Sequence, residues 1–267
     1  MTKVSVAKQG QSDATEWKER GLQAAFKVNI DVFKAKKFDQ KYTYWHFDLN
    51  CGSGQNEEVG CIGSPLAFLN AAHNADLESY FAGFCDINAD SLELLQERKA
   101  VKEDARSFLF HGDNASLIEA IPELIRAKGE NPQFAMGMVL SDPNNSDVPF
   151  DQLAWLSSVC PRIDFVINWN ARLFKLYQAH DWGKDRHTLA SAMRMFNKSH
   201  WLIRQPQGNW RWTLLIGRGM RINDHRAMGF FHLDSDAGRR IFNDCNNLRV
   251  NNPDILRMAA AQMAMGF

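Results

Sequence analysis

The sequence predicts an α/β fold in three layers: one mostly parallel sheet, helices on both faces, and an antiparallel hairpin at its end. Two observations carry that prediction. Five short, nearly continuous apolar runs alternate with helical stretches between residues 42 and 168. Such runs belong to strands buried on both faces. Two further β-favouring runs, Trp201–Arg204 and Trp210–Ile216, are separated only by Gln205-Pro-Gln-Gly-Asn209, which is the spacing of a hairpin with a five-residue loop.

The elements follow in order. Residues 1–40 are polar and basic, with a helical pattern over Ala14–Ala35 built on Trp17, Leu22, Ala25, Phe26 and Val28. Tyr42–Asn50 is aromatic and β-favouring and runs into a glycine-rich turn, so it reads as the first strand. Ser64–His73 reads as a helix with Pro65 in its first turn, where a missing N–H costs nothing. Tyr80–Asp86 is the second strand, and Asn88–Glu97 a helix capped by Asn88 or Asp90. Ser107–His111, Met136–Leu140 and Asp164–Asn168 are the third, fourth and fifth strands; Leu117–Ala127 and Phe150–Val159 are the helices between them. This divides the chain into an N-terminal helical extension (1–40), a main domain (41–219) and a C-terminal extension packed on it (220–267).

Composition bounds the function. At 267 residues and 45% hydrophobic the chain suits one large α/β domain or two small ones, and excludes a disordered, collagen-like or coiled-coil protein. No window holds 18 uninterrupted apolar residues, so no membrane helix is expected. Met1–Gly10 lacks the apolar core of a secretory signal. Five cysteines with no C-x-x-C pair point to a reducing cytoplasm and away from a cysteine zinc site. Charge is balanced overall, with 31 basic and 31 acidic residues, but divided locally. His46–Ser158 carries 18 acids and 6 bases, a net of −12; Arg172–Arg226 carries 11 bases and 3 acids, a net of +8, with four tryptophans and four histidines. One reading is ordinary solvated surface. The other is that the basic half meets a polyanion, since Lys and Arg neutralise phosphates and aromatic faces stack bases.

In an open α/β sheet ligands bind beyond the carboxyl ends of the strands. Four such ends are polar here: Asp48-Leu-Asn-Cys-Gly-Ser-Gly54, Asp86-Ile-Asn88, His111-Gly-Asp-Asn114 and Ser141-Asp-Pro-Asn-Asn145. Gly52 and Gly54 allow a tight turn and close backbone approach to a ligand, but the third glycine of a dinucleotide fingerprint is absent. An acid after the second strand is placed to accept both hydroxyls of a ribose. Each end alone reads equally well as a cap or an Asx turn; four after apolar strands point to a shared site.

This order of motifs resembles the class I S-adenosylmethionine (SAM) dependent methyltransferases over residues 42–217, including their antiparallel terminal strand. Gly63-Ser-Pro-Leu66 and the Asp-Pro motif followed by Val148-Pro149 resemble, within that class, the three-Cys-motif partner proteins. The resemblance implies a Rossmann-like methyltransferase sheet with SAM as cofactor. It implies that Asp48, Asn50, Gly52 and Gly54 border SAM, and that Gly63 and Ser64 offer helix N–H groups to its carboxylate. Asp86 and Ile87 would hold the ribose, Asp113 and Asn114 would face the adenine, and Asp142 and Pro143 the methyl acceptor.

Asp142-Pro-Asn-Asn145 also resembles the D-P-P-Y type motif of DNA amino-methyltransferases, in which an acid orients an exocyclic amine and an aromatic stacks on the extruded base. Asn144 and Asn145 replace the proline and the aromatic, so Trp169 or Trp182 would have to supply the ring. Asn168-Trp-Asn-Ala-Arg172 follows an apolar strand and is expected to face substrate, with Arg172 on a phosphate. The expected reaction is direct in-line transfer, with Asp142 to Asn145 as the catalytic set and no metal. His180, His187, His200 and His225 lack ligand spacing and read as surface or phosphate contacts. No Pro-Cys nucleophile follows Asp142, and Cys160 reads as core, so nitrogen or oxygen acceptors are favoured over carbon. The leading expectation is therefore transfer to nucleic acid, DNA ahead of RNA, at adenine N6. The alternatives are a small-molecule or protein acceptor, and a non-catalytic partner subunit that binds SAM or nucleic acid. A nicotinamide-dependent oxidoreductase is the weaker rival. No membrane partner is expected, and oligomerisation is left open.

Overall fold

The computed structural model of the protein describes residues 14–56, 60–143, 148–170, 193–206, 212–222 and 225–246. Its strands are β1 (Tyr44–Asp48), β2 (Gln55–Asn56), β3 (Cys61–Ile62), β4 (Tyr80–Asp86), β5 (Ser107–His111), β6 (Met136–Ser141), β7 (Ile163–Asn170), β8 (His200–Arg204), β9 (Trp212–Arg218) and β10 (Phe230–His232). Its helices are α1 (Ala14–Ala35), α2 (Ser64–Asn74), α3 (Ala89–Glu97), α4 (Lys99–Lys102), α5 (Asn114–Ala127), α6 (Phe150–Val159) and α7 (Asp236–Asn246).

Eight strands form one Rossmann-like sheet in the order β10-β8-β9-β7-β6-β1-β4-β5; β2 and β3 make a separate short ribbon. β1 pairs parallel with both β4 and β6, and β5 and β7 extend the parallel core on either side. The chain crosses over at β1, so the crevice beyond its carboxyl end is the topological switch point. β9 inserts antiparallel between β7 and β8, which is the expected hairpin. β10 pairs antiparallel with β8 and adds an edge the sequence did not reveal. At three residues it is too short for an alternating pattern to register.

Every residue of β1 is buried. Its side chains alternate between two cores, as the period of two requires. Trp45 and Phe47 join Ile118, Ile121, Leu153 and Phe165 on one face; Tyr44 joins Phe26, Phe68, Phe84 and Met138 on the other. Fully burying each of these rings contributes about 2–3 kcal/mol. α1 belongs to the second core through Leu22, Ala25, Phe26, Ile30 and Phe33. Cys160 lies wholly within the first core. Cys51, Cys61, Cys85 and Cys160 are buried thiols with no disulfide. Among the described residues no helix is long and apolar enough to cross a membrane.

Candidate active site

The carboxyl ends of the central strands are tied to one another by side chains. Asp86 ends β4 and accepts hydrogen bonds on both oxygens, from the Gly52 N–H (2.9 Å) and the Asn88 N–H (2.8 Å). The turn after β1 is held further by the Cys51 N–H on the Cys85 carbonyl at 2.8 Å. Gly52 and Gly54 both take positive φ, 59° and 74°, which explains why glycines stand there. The Gly63 N–H donates to the Gly54 carbonyl at 2.7 Å. A Cβ on Gly63 would lie 2.9 Å from the Gly54 carbonyl carbon, so that approach admits only glycine. The turn is thereby pressed against the start of α2, whose N-cap Gly63 supplies no capping side chain. With the Gly63 N–H on Gly54 and no N–H on Pro65, Ser64 is the residue of the first turn whose N–H faces outward for an anion.

Asn50 connects β1 to β6: its Oδ1 accepts from the Asp142 N–H at 3.2 Å. Asp142, at the end of β6, is engaged on both oxygens. Asn168 Nδ2 donates to Oδ1 at 2.7 Å, and Lys18 Nζ pairs with Oδ2 at 2.6 Å. Gly52, Asp86 and Asp142 thus belong to one rim. Asp113 lies close by, its carbonyl 3.7 Å from Cys85 Sγ. However, its carboxylate caps α5, with Oδ1 accepting from the Ser116 N–H at 2.7 Å. That bond, the largest influence on it, holds the Asp113 carboxyl below the usual range.

Asp48 lies under this rim, fully buried. Its Oδ1 accepts from the Asn50 N–H at 3.1 Å, while Oδ2 has no hydrogen-bond partner. Burial pushes its carboxyl up to about 7; the Asp142 and Asp86 charges add to the rise, against the Ser64 hydroxyl and the Asn50 N–H. Burial also raises the Cys85 thiol, to about 12, and Cys51 further still, so neither is a ready thiolate.

The remaining expected residues fall as follows. Ile87 is 74% exposed beside Asp86, an apolar surface available to a flat ligand. Asn114 begins α5 and is partly buried, and Pro143 is partly buried after Asp142. Trp169 is 4% exposed and packs in the core, its ring 6.1 Å from Phe150. It is not an exposed stacking platform, because β7 continues to Asn170 and pairs Trp169 with Thr213. Asn144, Asn145, Arg172, Trp182, His180 and His187 lie outside the described residues.

Two features escaped the sequence. Lys18 reaches the rim from α1, far upstream of every strand. The basic half turns three of its described cations inward, while Arg194, Arg221 and Arg226 stay exposed. Lys198, Arg204 and Arg218 are all buried. Arg204 lies 3.8 Å from the Trp17 ring centroid and donates to the Trp17 carbonyl. Arg218 pairs with Asp164 at 2.7 Å, and Arg221 pairs with Asp234.

No family model and no curated protein matches this sequence. Solved structures do. The protein LPL1258 of Legionella pneumophila aligns over 79% of this chain and 87% of its own, at 9% identity and a TM-score of 0.51. Human methyltransferase-like protein 13, in complex with SAH, aligns over 91% and 96% at 10% identity with a TM-score of 0.47. A probable spermidine synthase from Corynebacterium glutamicum aligns over 85% and 70% at 12% identity, also at 0.47. The first of these likenesses is one of fold.

Proposed function

We propose that the protein is a SAM-dependent methyltransferase. The observation that carries this is the rim itself: one hydrogen-bonded network joins Gly52 to Asp86 and Asn50 to Asp142 across β1, β4 and β6. The residues present fit SAM. Asp48, Asp86 and Asp142 make the crevice anionic, which suits a ligand carrying a sulfonium and an ammonium. The buried, unpartnered Oδ2 of Asp48 lacks a positive neighbour that such a ligand provides. Each oxygen of Asp86 accepts one N–H and keeps a lone pair for a ribose hydroxyl. Ser64 at the head of α2 offers its N–H to a carboxylate, whereas the Gly63 N–H expected beside it is taken by the Gly54 carbonyl.

Bound SAM supplies a methyl group on a good leaving group. The protein then has to position and desolvate an acceptor for in-line attack. Asp142 is the candidate for that task, held by Asn168 and Lys18.

Two acceptor readings differ in support. A DNA base amine at adenine N6 is supported by Asp142 and Pro143 standing at the rim. A small-molecule or protein acceptor is supported by the burial of Lys198, Arg204 and Arg218, which withdraws cations from a nucleic-acid face. The second is the better supported. Incubation with methyl-labelled SAM, followed by separation of DNA, RNA, protein and small-molecule fractions, tests both. Label outside nucleic acid is expected. Label in DNA that falls steeply with salt would reverse the preference, and label nowhere with SAM bound would point to a non-catalytic partner subunit.

A further inference from the structure

A second cavity opens at the opposite pole of the sheet, at the amino ends of β6 and β7. Its volume is about 460 Å³, within the range of small-molecule sites. One wall is apolar, formed by Val32 and Phe33 of α1 with Phe38 and Met136. The polar side holds Asp164 and Arg218, with Arg162 exposed among the lining residues.

The polar side is built, not incidental. Asp164 Oδ2 accepts from Asn29 Nδ2 at 2.8 Å and pairs with Arg218 Nη2 at 2.7 Å. Asn29 in turn accepts from the Tyr44 hydroxyl at 2.8 Å. Arg218 is 5% exposed, and its Nε and Nη1 have no hydrogen-bond partner. A buried guanidinium with unused donors is costly when it serves only as packing. The lining also carries two guanidiniums against one carboxylate, and Lys198 lies close enough to feel both Asp164 and Arg218. Excess positive charge around a carboxylate already paired with Arg218 disfavours a cation.

We propose that this cavity binds a small amphipathic anion, a carboxylate or sulfonate on an apolar body, separate from the rim. The apolar body would lie against Val32, Phe33 and Phe38, and the anionic group would balance the Arg162 and Arg218 charges. The proposal does not depend on the methyltransferase reading.

Fluorescence titration with 8-anilinonaphthalene-1-sulfonate tests it on the full chain, with near-UV circular dichroism reporting the fold. One saturable site is expected, unchanged by saturating SAM. The uncharged N-phenyl-1-naphthylamine should bind about tenfold more weakly, having no anion to place beside the cations. Val32→Trp fills the cavity and should weaken binding by about tenfold or more. Arg162→Glu changes an exposed side chain, keeps the fold, and should weaken the sulfonate but not the neutral probe. Displacement by SAM would assign the probe to the rim and overturn the proposal. So would an absence of saturable binding, or equal affinity for both probes. If Val32→Trp does not fold, Arg162→Glu decides: unchanged sulfonate affinity sinks the proposal.

Discussion

Asp48→Asn should stabilise the unliganded protein, and increasingly so as the pH rises. The substitution keeps the shape of the side chain and the Oδ1 that accepts from the Asn50 N–H, and it removes a buried charge. In the fold the Asp48 carboxyl titrates at about 7, against 3.8 for the free side chain. Between those values the folded state holds a proton that the unfolded chain has lost. Stability from this group is therefore full below 3.8 and falls as the pH rises toward 7. At about 1.4 kcal/mol per unit, the whole span costs the wild type about 4 kcal/mol, of which about 2–3 kcal/mol is lost between pH 5 and 8. The new amide donor imposes a constant penalty of about 1–2 kcal/mol if it finds no partner. That offset does not change with pH, so the slope is the secure quantity. Urea unfolding of both proteins at pH 5 and pH 8 measures it. The advantage of Asp48→Asn should grow by about 2–3 kcal/mol over that interval. A difference that stays flat with pH would refute the claim that Asp48 carries a destabilising charge beneath the rim.

Further expectations concern other parts of the molecule. His46 stacks on Phe68 at 3.9 Å with both ring nitrogens unpartnered, and burial lowers its pKa to about 3. Its contribution is present above 6.5 and lost as the pH falls toward 3, about 2 kcal/mol of it by pH 5; His46→Leu should abolish that loss in urea unfolding at pH 5 and 7.5. Lys18→Met removes the cation on Asp142 and should lower kcat by about tenfold while SAM affinity changes less than about threefold; calorimetry and initial rates separate the two. Arg204→Met breaks the link between β8 and the first turns of α1 and should cost about 2–4 kcal/mol, with faster amide exchange near Trp17.

The strand ends were legible because local chemistry places them. A short, nearly continuous apolar run followed by Asp or Gly defines a strand and its exit without reference to the rest of the chain. β4 and β5 occupy the expected residues for that reason, and α1 and α6 also occupy theirs. Asp113 shows the limit of the same reasoning: an acid one residue before a helix satisfies the cap rule, and the structure uses it so. Lys18 was invisible because its partner depends on how α1 lies across the sheet, not on any spacing. The inward turn of Lys198, Arg204 and Arg218 was invisible for a related reason. Local composition counts cations but does not say which ones the fold turns inward, and β9 wedging between β7 and β8 carries Arg218 to Asp164. Trp169 was misplaced because β7 runs two residues beyond its apolar stretch, held there by pairing with β9.

Isothermal titration of the wild type and Asp86→Ala with SAM, and of the wild type with NAD, addresses the cofactor assignment itself. SAM should bind the wild type at one site per chain, Asp86→Ala should bind it about tenfold or more weakly, and NAD should give no saturable heat. Equal SAM affinity in the two proteins, or saturable binding of NAD in place of SAM, would contradict the assignment.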